Sequence, residues 1–510
     1  MLIPNLLCLA LTMKGATNPI LWADVPDISI VRVGKAYYMS STTMHMSPGL
    51  PIMKSNDLVN WRLVSYAYDT LADNDALTLR NGKNAYGAGS WASSLRYHKG
   101  TFYASTFSST TGKTHVYTTK NPEKTPWKET AFGPSYHDHS LFFDDDGRVY
   151  LIYGAGDLRL VELQPDLSGP KPGTDKVIVT NASAVAGGQL GLRAEGSQLF
   201  KVNGKYYLCN ITWPRNDMRT QIVHRADRID GPYEGRVMFK DRGIAQGGLI
   251  DTPDGKWYAY LFQDHGAVGR IPYLVPMKWE DGWPVVGIDG KAPATLDIPA
   301  GKGGLANIVG SDEFNGKRLP LAWQWNHNPD ARFWSLTERP GRLRLTTGRV
   351  DAEVVGARNT LTQRTFGPVS SATTVIEVAG MKDGDMAGLV ALQRKYGFVG
   401  VKRTGDVNAI VMVSAETEKP VEVEALPLTA PRVFLRIDGD FRDLADRATF
   451  YYSLDGKRWN PIGKPLKMRY DLPHFMGYRF GLFNFATKTP GGHVDFDFFR
   501  ISDKLTEVQR

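Results

Sequence analysis

One short pattern recurs five times in the first half of the chain: a turn glycine, two residues, then a tyrosine. The instances are Gly34-Lys-Ala-Tyr37, Gly100-Thr-Phe-Tyr103, Gly147-Arg-Val-Tyr150, Gly204-Lys-Tyr-Tyr207 and Gly255-Lys-Trp-Tyr258. Each reads as a hairpin, because Asn203-Gly204 and Asp254-Gly255 suit turns with positive φ and strand-forming residues flank them. The spacings of 66, 47, 57 and 51 residues suit a four-stranded blade with its connections. Helical periodicity is nearly absent there. The prediction is an all-β chain with a five-bladed β-propeller over residues 18–305. A β-sandwich with recurrent hairpins is the alternative, and the shared tyrosine offset argues against it.

Nine residues before the turn glycine of the second to fifth repeats stand Trp91, Asp138, Glu195 and Gln246; in the first repeat Asp27 stands seven before Gly34. Equivalent offsets in equivalent blades mean equivalent places, so these residues are expected to ring one mouth of the central channel. Carboxylates gathered in a small ring raise one another's pKa, an arrangement retained chiefly where it serves chemistry. The plainer readings are Asp27 as a turn residue after Pro26, Asp138 as a turn acid like Asp144, Asp145 and Asp146, and Glu195 as a solvated loop acid. Asp251 reads as structural.

At 510 residues the chain predicts two domains. The second begins after the Gly/Pro-marked stretch Pro299–Gly304 and Asp312-Glu-Phe-Asn315, and is read as a β-sandwich over 311–510. Its strands include Leu343–Thr347, Thr373–Glu377 and Val433–Ile437, with turns at Asp383-Gly384, Asp438-Gly439, Asp455-Gly456 and Gly491-Gly492. The short linker predicts rigid docking. Aromatic content of 11% suits stacking on sugar faces and large β-proteins alike. The net charge of +8 is spread with no Lys/Arg block, which excludes a nucleic-acid footprint. Cys8 and Cys209 form neither a disulfide framework nor a metal spacing, and Cys209 reads as core. Residues 1–17 are expected to hold a leader remnant, apolar over Met1–Met13 but without a basic n-region, and nothing later is apolar for long enough to span a membrane.

Asn18–Ile30, His137-Asp-His-Ser-Leu-Phe-Phe-Asp-Asp-Asp-Gly147, Ala194-Glu-Gly-Ser-Gln-Leu-Phe200 and Trp279-Glu-Asp-Gly-Trp-Pro-Val285 resemble, in order, segments of glycoside hydrolase family 43. Trp323–His327 and Phe483-Asn-Phe485 resemble the concanavalin-like domain that follows some of its catalytic domains. The resemblance implies inverting hydrolysis, with Asp27 as general base, Glu195 as general acid and Asp138 as the residue that orients the acid and tunes its pKa. Inversion leaves room for a water, so an Asp27–Glu195 separation of about 6.5–9.5 Å is expected, against about 5 Å for retention. Arg270 matches an arginine that holds sugar hydroxyls, with a surface strand arginine as the plain alternative, and Trp91 matches a pocket aromatic or plain core. Trp213 and His45 follow inner strands and are expected at the entrance. Many members carry a histidine where this chain has Gln246, and that histidine helps hold a water-ligated calcium; an amide is no imidazole, so neither metal nor other cofactor is expected. The expected substrate is an oligosaccharide or polysaccharide of plant cell walls, met in a secreted or periplasmic setting. A β-xylosidase comes first, an α-L-arabinofuranosidase second, and a catalytically silent carbohydrate-binding protein is the alternative of another class. A retaining β-fructosidase on the same propeller is a poor third reading, since its characteristic nucleophile motif is not evident near Asp24 or Asp27.

Overall fold

The computed structural model describes residues 15–301 and 305–507, so Cys8, the leader segment up to residue 14 and the Lys302–Gly304 part of the linker lie outside the described residues. Five antiparallel four-stranded sheets stand around one axis. Their innermost strands are Ser29–Val33, Ser94–His98, Ser140–Phe143, Leu190–Val202 and Ala245–Asp251. The five turn glycines of the repeat all have positive φ, between 62° and 84°, a region that only glycine adopts without a Cβ penalty. Four of the repeat's tyrosines, Tyr37, Tyr150, Tyr207 and Tyr258, are buried in the apolar clusters of the propeller, and Tyr103 packs half-buried beside another.

Buried serines stitch neighbouring blades at the channel. The hydroxyls of Ser29, Ser94 and Ser140 accept the amides of Leu95, Leu141 and Leu199, each on the next blade, at 3.0–3.1 Å. A buried hydroxyl without a partner costs about 1–3 kcal/mol, so this ring fixes the relative height of the blades. The N-terminal segment closes the circle: Gly15–Thr17 pairs with Thr295–Pro299, and Asn18 binds the backbone of Leu274 and Pro293.

The second half is a sandwich of two eight-stranded sheets, with short strands at their margins. The predicted strands appear as Leu343–Thr346, Val369–Glu377 and Arg432–Asp440. Asp438-Gly439 is not a turn. The strand runs through it to Asp440, and Asp438 is held by Arg436 at 2.8 Å. The segments Gln324–Asn326 and Arg479–Ala486 share one sheet with Leu361–Arg364 between them.

That sheet does not end within the sandwich. Its last strand is Met46–Ser47 of the propeller, paired with Trp325 and Asn326. Around the joint, Gln324 donates to the Pro48 carbonyl at 2.7 Å, Ser47 donates to Asn328 at 2.7 Å, and buried Arg364 donates to the Asp24 carbonyl at 2.8 Å. The halves are one packed body.

Candidate active site

Asp27, Asp138 and Gln246 share a left-handed backbone, with φ of 51°, 47° and 61°, at the heads of three innermost strands. Asp27 and Asp138 each precede a channel serine, Ser29 or Ser140, by two residues. In the fourth blade Gly196 (φ 66°) holds the matching place two residues before Gln198, and Glu195 comes one residue earlier. The count from the turn glycines therefore misjudged which member is irregular: hairpin length varies between blades, whereas distance from the serine ring does not. Asp27 is regular, and Glu195 is displaced by a bulge between Glu195 and Gln198. A Cβ on Gly196 would meet the Gln246 side chain at 2.9 Å, which favours glycine after it.

The three carboxyls meet at this mouth. Asp27 is buried and accepts from Arg270 Nη1 at 3.0 and 3.2 Å and from Gln246 Nε2 at 2.9 Å. Burial raises its pKa, and the Arg270 guanidinium opposes that rise. Asp138 accepts the Gly196 amide on Oδ2 at 3.1 Å and the Ser197 amide on its carbonyl at 3.2 Å, so it pins the turn that carries Glu195. Burial, with Glu195 and Asp27 nearby and His137 opposing, pushes Asp138 up to about 7. His137 Nε2 lies 3.0 Å from Glu195 Oε2 and 3.9 Å from Asp138 Oδ2. Burial lowers the imidazole, but the bond to Glu195 and the charges of Asp138, Glu195 and Asp27 outweigh it and raise it to about 9.

Aromatic rings wall the pocket. Trp91 lies 4.9 Å from Phe475 and 6.3 Å from Phe107, and Phe475 also faces the Arg270 guanidinium at 4.9 Å. Phe475 comes from the sandwich, on the connection before Arg479–Ala486. Asp24 anchors that connection by accepting the Gly477 amide at 2.9 Å while its other oxygen accepts the Arg270 amide at 2.8 Å. Phe475, His137 and Asp24 were not singled out from sequence. His137 was visible as the neighbour of Asp138, but nothing linked residue 475 to residue 91.

Two expected entrance residues part company. Trp213 is 40% exposed, its Nε1 donating to the Asp217 carbonyl and Arg219 lying 5.3 Å from its ring. His45 is not at the entrance. It is 1% exposed in the domain joint, bonded to Asn326 and packed on Tyr86 and His327, because it precedes the strand that enters the sandwich sheet. Asp144 is held by Lys201 and Tyr206, and Asp251 by Arg32, which suits their structural reading. Cys209 is fully buried core, its thiol pushed up to about 12 by burial.

The residues present do not fit a water-ligated calcium in the channel. The space bounded by Asp27, Asp138, Gly196 and Gln246 holds about 10 Å³, barely one water, whereas calcium needs six to eight oxygens. Below it the channel already holds a cation: Arg96 donates to Ser140 at 2.7 Å and to the Leu95 carbonyl at 2.8 Å, with Ser29 and Gln198 at 3.4 and 3.5 Å. Ligand atoms of His137, Asp138 and Glu195 lie within 4.8 Å of one another, the one such group among the described residues. An ion there would have to break the His137–Glu195 and Asp138–Gly196 bonds, so the cluster is read as proton-sharing.

Known proteins share this construction. The profile of Glycosyl hydrolases family 43 matches residues 16–284, and that of the Beta xylosidase C-terminal Concanavalin A-like domain matches 311–502. A beta-xylosidase of Formosa agariphila is 29% identical over 94% of this chain and 89% of its own. A non-reducing end alpha-L-arabinofuranosidase of Bacteroides ovatus is 32% identical over 66% of each chain. The solved structure of a bifunctional GH43-CE protein of Bacteroides eggerthii superposes with a TM-score of 0.95 at 64% identity, over 97% of this chain. This chain spans 64% of that protein's length.

Proposed function

The chain belongs to glycosyl hydrolases family 43, and on that premise we propose that it is an inverting, exo-acting β-xylosidase that releases xylose from the ends of xylo-oligosaccharides. The observation that carries this reading is the meeting of Asp27, Asp138 and Glu195, from three blades, in a pocket walled by Phe475 of the other domain. Asp27 is the base: two contacts from Arg270 and one from the Gln246 amide favour its ionised form, ready to take a proton from the attacking water. Glu195 is the acid that protonates the leaving oxygen, and Asp138 holds its turn in place. Arg270 holds Asp27 through Nη1, while its Nε and Nη2 are buried with no protein partner among the described residues. The wall of Trp91 and Phe475 favours a chain end over a mid-chain segment. The exposed ring of Trp213 is proposed to meet the departing sugar. The channel is proposed to work without a metal.

The arabinofuranosidase likeness keeps release of α-L-arabinofuranose as the second reading. Hydrolysis of nitrophenyl xyloside and arabinofuranoside decides between them, with Asp27→Ala and Glu195→Ala as controls. Asp27→Ala is expected to lose about 10²–10⁴-fold in kcat on either glycoside, and Glu195→Ala as much on a disaccharide, whose leaving oxygen needs a proton. Failure of the wild type on both, while it still binds xylo-oligosaccharides, overturns the enzyme reading and leaves a binding protein. The anomer first seen by proton NMR tests inversion.

A further inference from the structure

His137 has no place in the mechanism above, yet it touches the proposed acid directly. Its Nε2 lies 3.0 Å from Glu195 Oε2, and its ring packs edge-on to Phe107, 5.3 Å between centroids. The side chain is 45% exposed, against 21% for Glu195 and 7% for Asp138. Among the described residues no other side chain is hydrogen-bonded to the Glu195 carboxyl. His137 thus joins that carboxyl to solvent. Around it stand the acids Asp138, Glu195 and Asp27, with Arg270 behind Asp27, and His139 on its own segment, tied to Ser105 and the Tyr136 carbonyl. Phe107 is neutral. Three acids against one arginine make this a place that retains a proton.

We propose that His137 stores the proton that Glu195 delivers, passing it across their hydrogen bond once bound substrate has displaced water from the pocket. The inference rests on the reading of Glu195 as general acid. In the free enzyme the pair is imidazolium and carboxylate. On binding, the Nε2–H bond breaks and an Oε2–H bond forms, giving neutral imidazole and carboxylic acid. That pair loses less than two full charges do in a dry site. Glu195 then gives the proton to the leaving oxygen as the glycosidic bond breaks, while Asp27 takes one from the attacking water. The imidazole recovers a proton from solvent and Asp27 releases one, so the cycle closes with no other reactant. His137 acts through Glu195 and does not touch the sugar.

Its signature is that the alkaline limb of the kcat/KM profile belongs to the pair. With the imidazole present, the acids around His137 hold its proton above the ordinary imidazole range. His137→Gln keeps a hydrogen-bond donor but cannot ionise, so the limb is expected to move to lower pH by about one unit or more, a loss of about tenfold near the old limb. The loss should appear on xylobiose, or on the arabinosyl disaccharide if the wild type prefers it, whose leaving oxygen needs a proton. The matching 2,4-dinitrophenyl glycoside, whose leaving group needs none, should change by less than about threefold. An unmoved limb, or equal losses on both substrates, overturns the proposal and makes His137 a wall residue. Glu195→Ala run in parallel separates the two ideas: if it cleaves both substrates as the wild type does, the acid assignment itself fails.

Discussion

Asp138 is a carboxylic acid that the fold prefers uncharged, and this has a sign in solution. Unfolded, it ionises near its ordinary value of 3.8; folded, burial lifts it to about 7. Between those values the folded chain holds a proton that the unfolded chain has lost, so this contribution to stability is present below about pH 4 and is lost as pH rises through about 7. Asp138→Asn is therefore expected to gain thermal stability relative to wild type as pH rises across that window. Melting curves at a series of pH values check it; a difference independent of pH removes the burial argument. At this scale the sequence was informative where the repeat imposed equivalence. Asp138 and Glu195 were reached from their shared nine-residue offset, and Asp27 as the nearest carboxylate of the first repeat. Glu195 was found despite its bulge, and Asp27 looked out of step only because the count began at the turn instead of at the serine ring. His45 was misplaced because a sequence does not show that a two-residue strand leaves its blade for another sheet.

The connection bearing Phe475 is a short piece of sandwich that completes a propeller's pocket. Its position depends on the carboxylate of Asp24, which binds the backbone of this connection and that of Arg270 together. Phe475→Ala removes one wall and the ring facing Arg270, and is expected to raise KM on small aryl glycosides about tenfold, or about 1.4 kcal/mol, with a smaller change in kcat. A larger fall in kcat than rise in KM counts against a binding role. Blades and strands were legible because alternation and turn residues are local signals; Asp438-Gly439 misled because the same dipeptide also lies within a twisted strand. The docking of one element on another is set by surfaces far apart in the chain, and no local pattern encodes it.

At the scale of the whole molecule, one expected source of acid sensitivity is the joint between its halves. His45, His327 and His474 cluster there around Tyr86, with His474 stacked on that ring at 3.8 Å. Burial lowers all three, His45 to about 3 and the others well below 6.5, with neighbouring positive charges adding to the effect. A histidine lowered by folding gives its full stability above its unfolded value and loses it as pH falls, so the melting temperature is expected to drop progressively below about pH 6.5. His474→Gln should flatten that drop. At the propeller's axis the opposite insensitivity is expected: with Arg96 filling the channel, excess EDTA should leave both melting temperature and kcat unchanged, and a loss of either would mean a bound divalent ion.

Residue 475 completing a pocket whose first carboxyl is residue 27 has a consequence for synthesis. On the ribosome the propeller's strands all emerge before the sandwich exists, yet the sugar pocket has no far wall until Phe475 has been made. A nascent or prematurely ended chain can carry every proposed catalytic carboxyl and still lack a finished pocket. Activity then reports that the segment bearing Phe475 has been translated and docked, which makes turnover a direct assay of the joining of the two halves.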